Sequence, residues 1–178
     1  MEQDLAMIRD KIRAIPDYPK KGIVFRDITP VLKDPVLFSL AVSKMQKLLE
    51  GLSFDYVVGI ESRGFIFGAA LAHAIGKGFI PARKEGKLPY KKISRSYALE
   101  YSTATLEMHS DALEKGSSVV IVDDLLATGG TAKAAAELVE SLGARVSGYA
   151  FLIELSDLKG REKLAGGKVI SLISYHGD

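Results

Sequence analysis

Apolar residues recur along this chain at two spacings, and each change of spacing marks an element. Leu5, Ile8, Ile12 and Ile15 stand three or four residues apart, the repeat of one helix face, until Pro16 stops them. Asp34 followed by Pro35 pairs an N-cap with a first-turn proline and predicts a second helix ending near Gly51. "DYVVGI" (55–60) then reads as a short buried strand, "ESRG" as a turn and "FIFGAALAHAIG" as a helix. The same order returns in strand "GFIPAR", strand "SSVVIVDD", helix "TAKAAAELVESLG", strand "RVSGYAFLIEL", helix "LKGREKLAG" and strand "KVISLISY". Such alternation predicts an α/β fold, a mainly parallel sheet flanked by helices.

The alternation breaks between residues 85 and 110. The basic stretch "EGKLPYKKISRS" is followed by the short alternating runs "YALEY" and "TLEMH", which predict a small antiparallel flap. Period two puts Tyr97, Leu99 and Tyr101 on one face and Glu100 on the other. No Pro/Ser-rich linker divides the 178 residues, a length that suits a single domain around one core, with the flap as an excursion from it.

Composition removes several function classes. Lys plus Arg number 24 against 22 Asp plus Glu, so the net charge of +2 gives no global pull toward nucleic acid or anionic lipid. The amphipathic, charged start and the absence of a long apolar run predict no membrane association and a cytoplasmic protein. With no cysteine and three scattered histidines, disulfides, thiolate nucleophiles and a structural zinc site are all unexpected.

The chemistry concentrates in "VVIVDDLLATGGT" (119–131), an apolar strand running into Asp123 and Asp124 and then into Ala127, Thr128, Gly129, Gly130 and Thr131. In an open parallel sheet, ligands bind at the carboxyl ends of strands, where this segment must lie. The glycines let backbone N–H groups turn inward, a helix beginning near Thr131 adds its positive end, and the threonines add neutral donors, all suited to a phosphate. A carboxylate beside a phosphate is electrostatically wrong unless another part of the ligand wants it. Ribose supplies hydroxyl donors for the acids and, when its glycosidic bond breaks, a cationic C1′. The chain has no P-loop consensus and no G-x-G-x-x-G after a strand, so a ribose 5-phosphate is the expected ligand.

That segment resembles the phosphoribosyl pyrophosphate (PRPP) signature of the type I phosphoribosyltransferases. "FRDITP" (25–30), "ESRGF" (61–65) and "ARKEGKLP" leading to "SYALEY" (82–101) follow in the order and spacing of the adenine-using members, over nearly the whole chain. One departure is Glu85, where the family often has proline. The resemblance implies the type I phosphoribosyltransferase fold, with an N-terminal, base-binding hood over 1–35 and a flexible flap over 85–110 that closes on PRPP. It implies transfer of the 5-phosphoribosyl group from PRPP to adenine through an oxocarbenium-like transition state, giving AMP and pyrophosphate, with Mg²⁺ bound mainly through substrate oxygens rather than protein ligands.

Carried over position by position, the resemblance implies that Asp123 and Asp124 stabilise the cation-like ribose and that Ala127–Thr131 bind the 5-phosphate. Arg63, with turn amides near Ser62 and Gly64, faces pyrophosphate, and the Glu61–Ser62 peptide is cis or strained. Arg83, Lys84 and Lys87 are further pyrophosphate candidates, one of them reaching a neighbouring subunit's site, which implies a homodimer. Glu100 is the acid/base for the purine imidazole ring. Phe25 stacks on adenine while the main chain of Val24 and Arg26 reads its edge, and Asp27 organises the "DITP" turn. Two other readings share the loop and diacid: transfer to another purine such as xanthine or guanine, and a PRPP-sensing regulator that binds nucleic acid. Against the second, there is no appended helix-turn-helix segment or broad basic stripe.

Overall fold

The computed structural model describes residues 2–98 and 103–177. Its elements are α1 (Glu2–Lys11), β1 (Arg13–Pro16), β2 (Val24–Asp27), α2 (Thr29–Lys33), α3 (Pro35–Leu49), β3 (Tyr56–Ile60), α4 (Arg63–Ala74), β4 (Gly78–Lys84), β5 (Lys92–Ala98), β6 (Thr103–His109), β7 (Ser118–Leu126), α5 (Gly130–Ser141), β8 (Arg145–Leu155) and β9 (Lys168–Tyr175).

Seven strands form one sheet in the order β5-β6-β4-β3-β7-β8-β9. From β4 across to β9 every pairing is parallel, while β6 runs antiparallel to both β4 and β5. The predicted flap is therefore the edge of the main sheet. From β3 the chain steps to β4 on one side, and β7 to β9 lie on the other. The crevice outside the carboxyl ends of β3 and β7 is thus the topological switch point, where sheets of this kind take ligands.

Alternation along the central strands sends side chains into two apolar layers. Val120 and Val122 of β7, with Ala150 and Leu152 of β8, join Phe67 and Leu71 of α4 and Ala41 and Met45 of α3. Val119 and Ile121, with Tyr149 and Phe151, meet Ala132, Ala135, Leu138 and Val139 of α5 on the other face. The small alanine face lets α5 lie close to the sheet. Asp34 caps α3, its Oδ1 accepting from Val36 N at 3.0 Å and Leu37 N at 3.2 Å.

Three expectations need correction. The first helix ends at Lys11 and does not reach Ile15, which lies in β1 opposite Phe25. Pro16 constrains its predecessor to extended backbone, so the apolar repeat at that end belongs to a hairpin and not to a helix face. Residues 158–166, expected as a helix, form two short 3₁₀ turns, Ser156–Leu158 and Gly160–Lys163, separated by Lys159 at φ +51°. A left-handed residue interrupts helical hydrogen bonding. The short helix α2 also appears where a turn alone was expected.

Candidate active site

The carboxyl end of β3 leads through Glu61 and Ser62 into α4, and the end of β7 carries Asp123 and Asp124 before the loop into α5. The Glu61–Ser62 peptide is cis, as the resemblance implies. Gly64, at the start of α4, sits so close to β7 that a Cβ there would lie 2.7 Å from the Val122 carbonyl oxygen and 2.9 Å from Asp123 Oδ1. Only glycine lets the helix start meet the acids, and Arg63 is delivered to them as a result.

Arg63 Nε lies 3.0 Å from Asp124 Oδ2, and its guanidinium also stands 5.3 Å from the centre of the Phe25 ring. The Asp124 oxygen is buried and, despite this close charge contact, has no partner with hydrogen-bond geometry. Asp123 Oδ1 accepts from Asp124 N at 2.9 Å. Burial pushes the Asp123 carboxyl well above the usual range, and the neighbouring Asp124 charge pushes it further. Burial likewise raises Asp124, while Arg63 pulls it back. Two adjacent carboxyls that resist carrying two charges are poised for a cation or for hydroxyl donors.

The loop after β7 is shaped by Gly129, at φ +79°, which directs the chain into α5 at Gly130. Two contiguous cavities share Arg63, Asp123, Asp124 and Thr131. The smaller, about 220 Å³, is walled by residues 123–132 and holds the whole Ala127–Thr131 loop. The larger, about 630 Å³, extends to Glu61, Ser62, Lys84, Lys87 and Tyr97. The dimensions suit a phosphate in the first and a larger polar group in the second.

Arg83 does not line either cavity. Its Nε and Nη2 face Glu61 at 3.2 and 3.3 Å, its Nη1 donates to the Lys87 carbonyl at 2.9 Å, and Glu61 also accepts from Lys84 N at 2.9 Å. Glu61 thus ties the basic stretch to the end of β3, a role the sequence reading missed although its place at a strand's carboxyl end was the available signal. Tyr97, Thr105 and Glu85 also line the larger cavity unforeseen. Phe25 is half-buried, with Tyr18 edge-on at 5.3 Å, and meets the Arg63 guanidinium that faces the acids. Among the described residues β2 pairs only with β1, and Val24 and Arg26, two residues apart, present their main-chain groups to one common edge. The Arg26 guanidinium lies 4.0 Å from the Tyr175 ring centre. Asp27 accepts from the Thr29 amide and hydroxyl, holding the turn as expected. Glu100 lies outside the described residues; Ala98, two positions before it, brings the chain to Gly130, where a Cβ would lie 3.3 Å from the Ala98 oxygen.

Among the described residues no group of three or more His, Cys, Asp or Glu is gathered for a metal ion. The Asp123 and Asp124 carboxylate oxygens are hard donors that fit Mg²⁺, but two carboxylates supply only part of its shell.

A switch-point crevice with a glycine-threonine loop, paired acids and a guanidinium defines a class of protein that binds phosphorylated sugars. The chain belongs to the phosphoribosyl transferase domain family, whose model matches residues 32–171, and within it to the adenine phosphoribosyltransferases. It is 58% identical to the adenine phosphoribosyltransferase of Chlorobium luteolum over 96% of this chain and 99% of that one. The Kosmotoga olearia enzyme of that name is 55% identical over 94% and 99%. The crystal structure of adenine phosphoribosyltransferase from Thermoanaerobacter pseudethanolicus superposes with a TM-score of 0.94 at 56% identity, covering 96% of this chain and 99% of that one. The Saccharomyces cerevisiae enzyme, solved with an imino-altritol bisphosphate and adenine, superposes at 0.90 with 40% identity over 97% and 99%.

Proposed function

We propose that this chain is a purine-salvage enzyme that transfers the 5-phosphoribosyl group of PRPP to adenine, releasing AMP and pyrophosphate. The observation that carries the reading is the buried acid pair Asp123 and Asp124 beside the Ala127–Thr131 loop, with Asp124 Oδ2 in charge contact with Arg63 but lacking an aligned hydrogen-bond donor. A buried acceptor with no aligned donor leaves hydrogen-bonding capacity unused, and ribose hydroxyls would fill it while the loop takes the 5-phosphate. The C1′–O bond to pyrophosphate breaks, the C1′–N9 bond forms, and the N9 proton leaves the purine.

Asp123 and Asp124 stabilise the positive charge that grows at C1′, a charge present chiefly in the transition state. Arg63, the Ser62 and Gly64 amides, Lys84 and Lys87 offset the charge of departing pyrophosphate. Glu100 acts as acid/base at the imidazole ring, and the flap excludes water from the cation. Mg²⁺ bound with the substrate would screen the pyrophosphate charge, and Asp123 and Asp124 are the residues that would help to hold it. Phe25 stacks on adenine, and Val24 C=O and Arg26 N–H meet its 6-amino group and N1.

The active form is a homodimer in the cytoplasm, in which a basic residue of the 83–87 stretch reaches the neighbouring crevice. It works without nucleic acid or membrane. Incubation with radiolabelled adenine, PRPP and Mg²⁺ is expected to yield AMP and pyrophosphate one for one. Absence of AMP under those conditions would overturn the reading.

A further inference from the structure

Behind the phosphate loop lies a turn that touches no cavity of the site. Gly160 opens the second 3₁₀ turn and faces the loop backbone directly. A Cβ at Gly160 would strike the Ala127 carbonyl oxygen and lie 2.8 Å from Gly129 N; one at Gly129 would strike the Gly160 carbonyl. The two glycines are therefore packed backbone to backbone, with no room for a methyl group on either side.

The next residue anchors that turn. Arg161 makes a fork with Glu154, Nε to Oε1 at 3.0 Å and Nη2 to Oε2 at 2.6 Å, and its Nη1 donates to the Val169 carbonyl at 2.7 Å. Glu154 is 6% exposed at the end of β8 and also accepts from the Ser171 hydroxyl of β9. One guanidinium thus ties the turn to two neighbouring strands. Bidentate pairs of this kind fix direction as well as distance, which an isolated loop cannot do for itself.

We infer that the Glu154–Arg161 pair is a positioning clamp, holding Gly160 against the back of the Ala127–Thr131 loop and thereby setting that loop's affinity for a 5-phosphate. The inference rests on reading that loop as the phosphate site. Phosphate-binding amides must converge on one point, and a rigid backing surface keeps them converged before the ligand arrives. Glu154, Gly160 and Arg161 act through the loop and touch no reacting atom.

The test is calorimetric binding of ribose 5-phosphate to the full chain, joined to steady-state kinetics. Gly160→Ala is expected to raise the ribose 5-phosphate Kd and the PRPP KM by about tenfold or more, since sub-ångström displacement of a preorganised site is costly. The adenine KM at saturating PRPP should stay within about twofold of the parent value. Arg161→Ala should follow the same pattern and Arg161→Lys should recover part of the loss, because a single ammonium reaches Glu154 but cannot also hold Val169. Lys163→Ala, on the exposed side of the turn, should bind as the parent does. If Gly160→Ala fails to fold, the Arg161 pair carries the comparison. Unchanged ribose 5-phosphate affinity in folded variants would overturn the clamp, as would parallel loss of both substrates together with Tm. A parent protein that binds ribose 5-phosphate but makes no AMP would instead defeat the proposed reaction and leave the clamp standing.

Discussion

Asp123 and Asp124 stand where the interests of stability and chemistry diverge. Their raised pKa values mean that the folded protein binds protons more tightly than the unfolded chain does, so stability falls as pH rises from the ordinary carboxyl range through the raised folded values. Asp123→Asn removes that penalty. Without ligand, its Tm should exceed the parent's at neutral pH, and the difference should shrink as pH falls through the raised folded value and vanish only below the ordinary carboxyl range, where the parent's carboxyl is protonated in both states. Its kcat should drop by about 10²-fold or more, the scale of losing one preorganised charge-stabilising group, with little change in adenine binding. Thermal unfolding across pH together with kinetics checks both halves; an Asn variant that is less stable at neutral pH would contradict the burial argument. The acids and the Gly-Thr loop were legible in the sequence because an apolar strand ending in two carboxylates has few other uses. Glu61 and Gly160 were not, since neither the Glu61–Arg83 fork nor the contact behind Gly129 leaves a local pattern.

At the scale of elements, the close approach of α4 to β7 converts a sequence turn into a site. Gly64→Ala would push a methyl into the Val122 carbonyl and Asp123. Overpacking of this kind typically costs about 1–3 kcal/mol, and the movement that relieves it carries Arg63 away from Asp124. Lower Tm and lower kcat/KM are expected together; a variant matching the parent in both would show that the approach is not needed. The central strands and the helices packed on them were readable from spacing because each buries a continuous apolar face. The N-terminal hairpin was obscured because Ile12 and Ile15 fit a helical repeat as well as they fit an approach to β1, and only the pairing of Ile15 with Phe25 separates the two. The 3₁₀ turns were obscured for the opposite reason: "LKGREKLAG" has helix-forming side chains, but the left-handed Lys159 and the Gly160 contact with the loop decide its backbone. Tertiary contact overrides local propensity there.

For the whole molecule, the switch point gathers segments distant in sequence. β3 with α4 supplies the cation, β7 with α5 supplies acids and loop, and the hairpin brings Phe25 to Arg63. The fold class was legible because alternation of strand and helix leaves few topologies, whereas the antiparallel edge joining the flap to β4 depends on pairing between Arg83 and Glu107 that no periodicity encodes. The proposed reading puts base choice on the main chain of β2. Adenine offers a 6-amino donor beside an N1 acceptor, and hypoxanthine and guanine offer the reverse, so a fixed main-chain pair meets them acceptor to acceptor and donor to donor. Buried mismatches of that kind can discriminate by ~10⁴-fold. The most direct measurement is a competition assay with equimolar adenine, hypoxanthine, guanine and xanthine, limiting PRPP and Mg²⁺, with the nucleotide products resolved by chromatography. AMP as essentially the sole nucleotide is the expected result, and comparable yields of AMP and a 6-oxo nucleotide would contradict it.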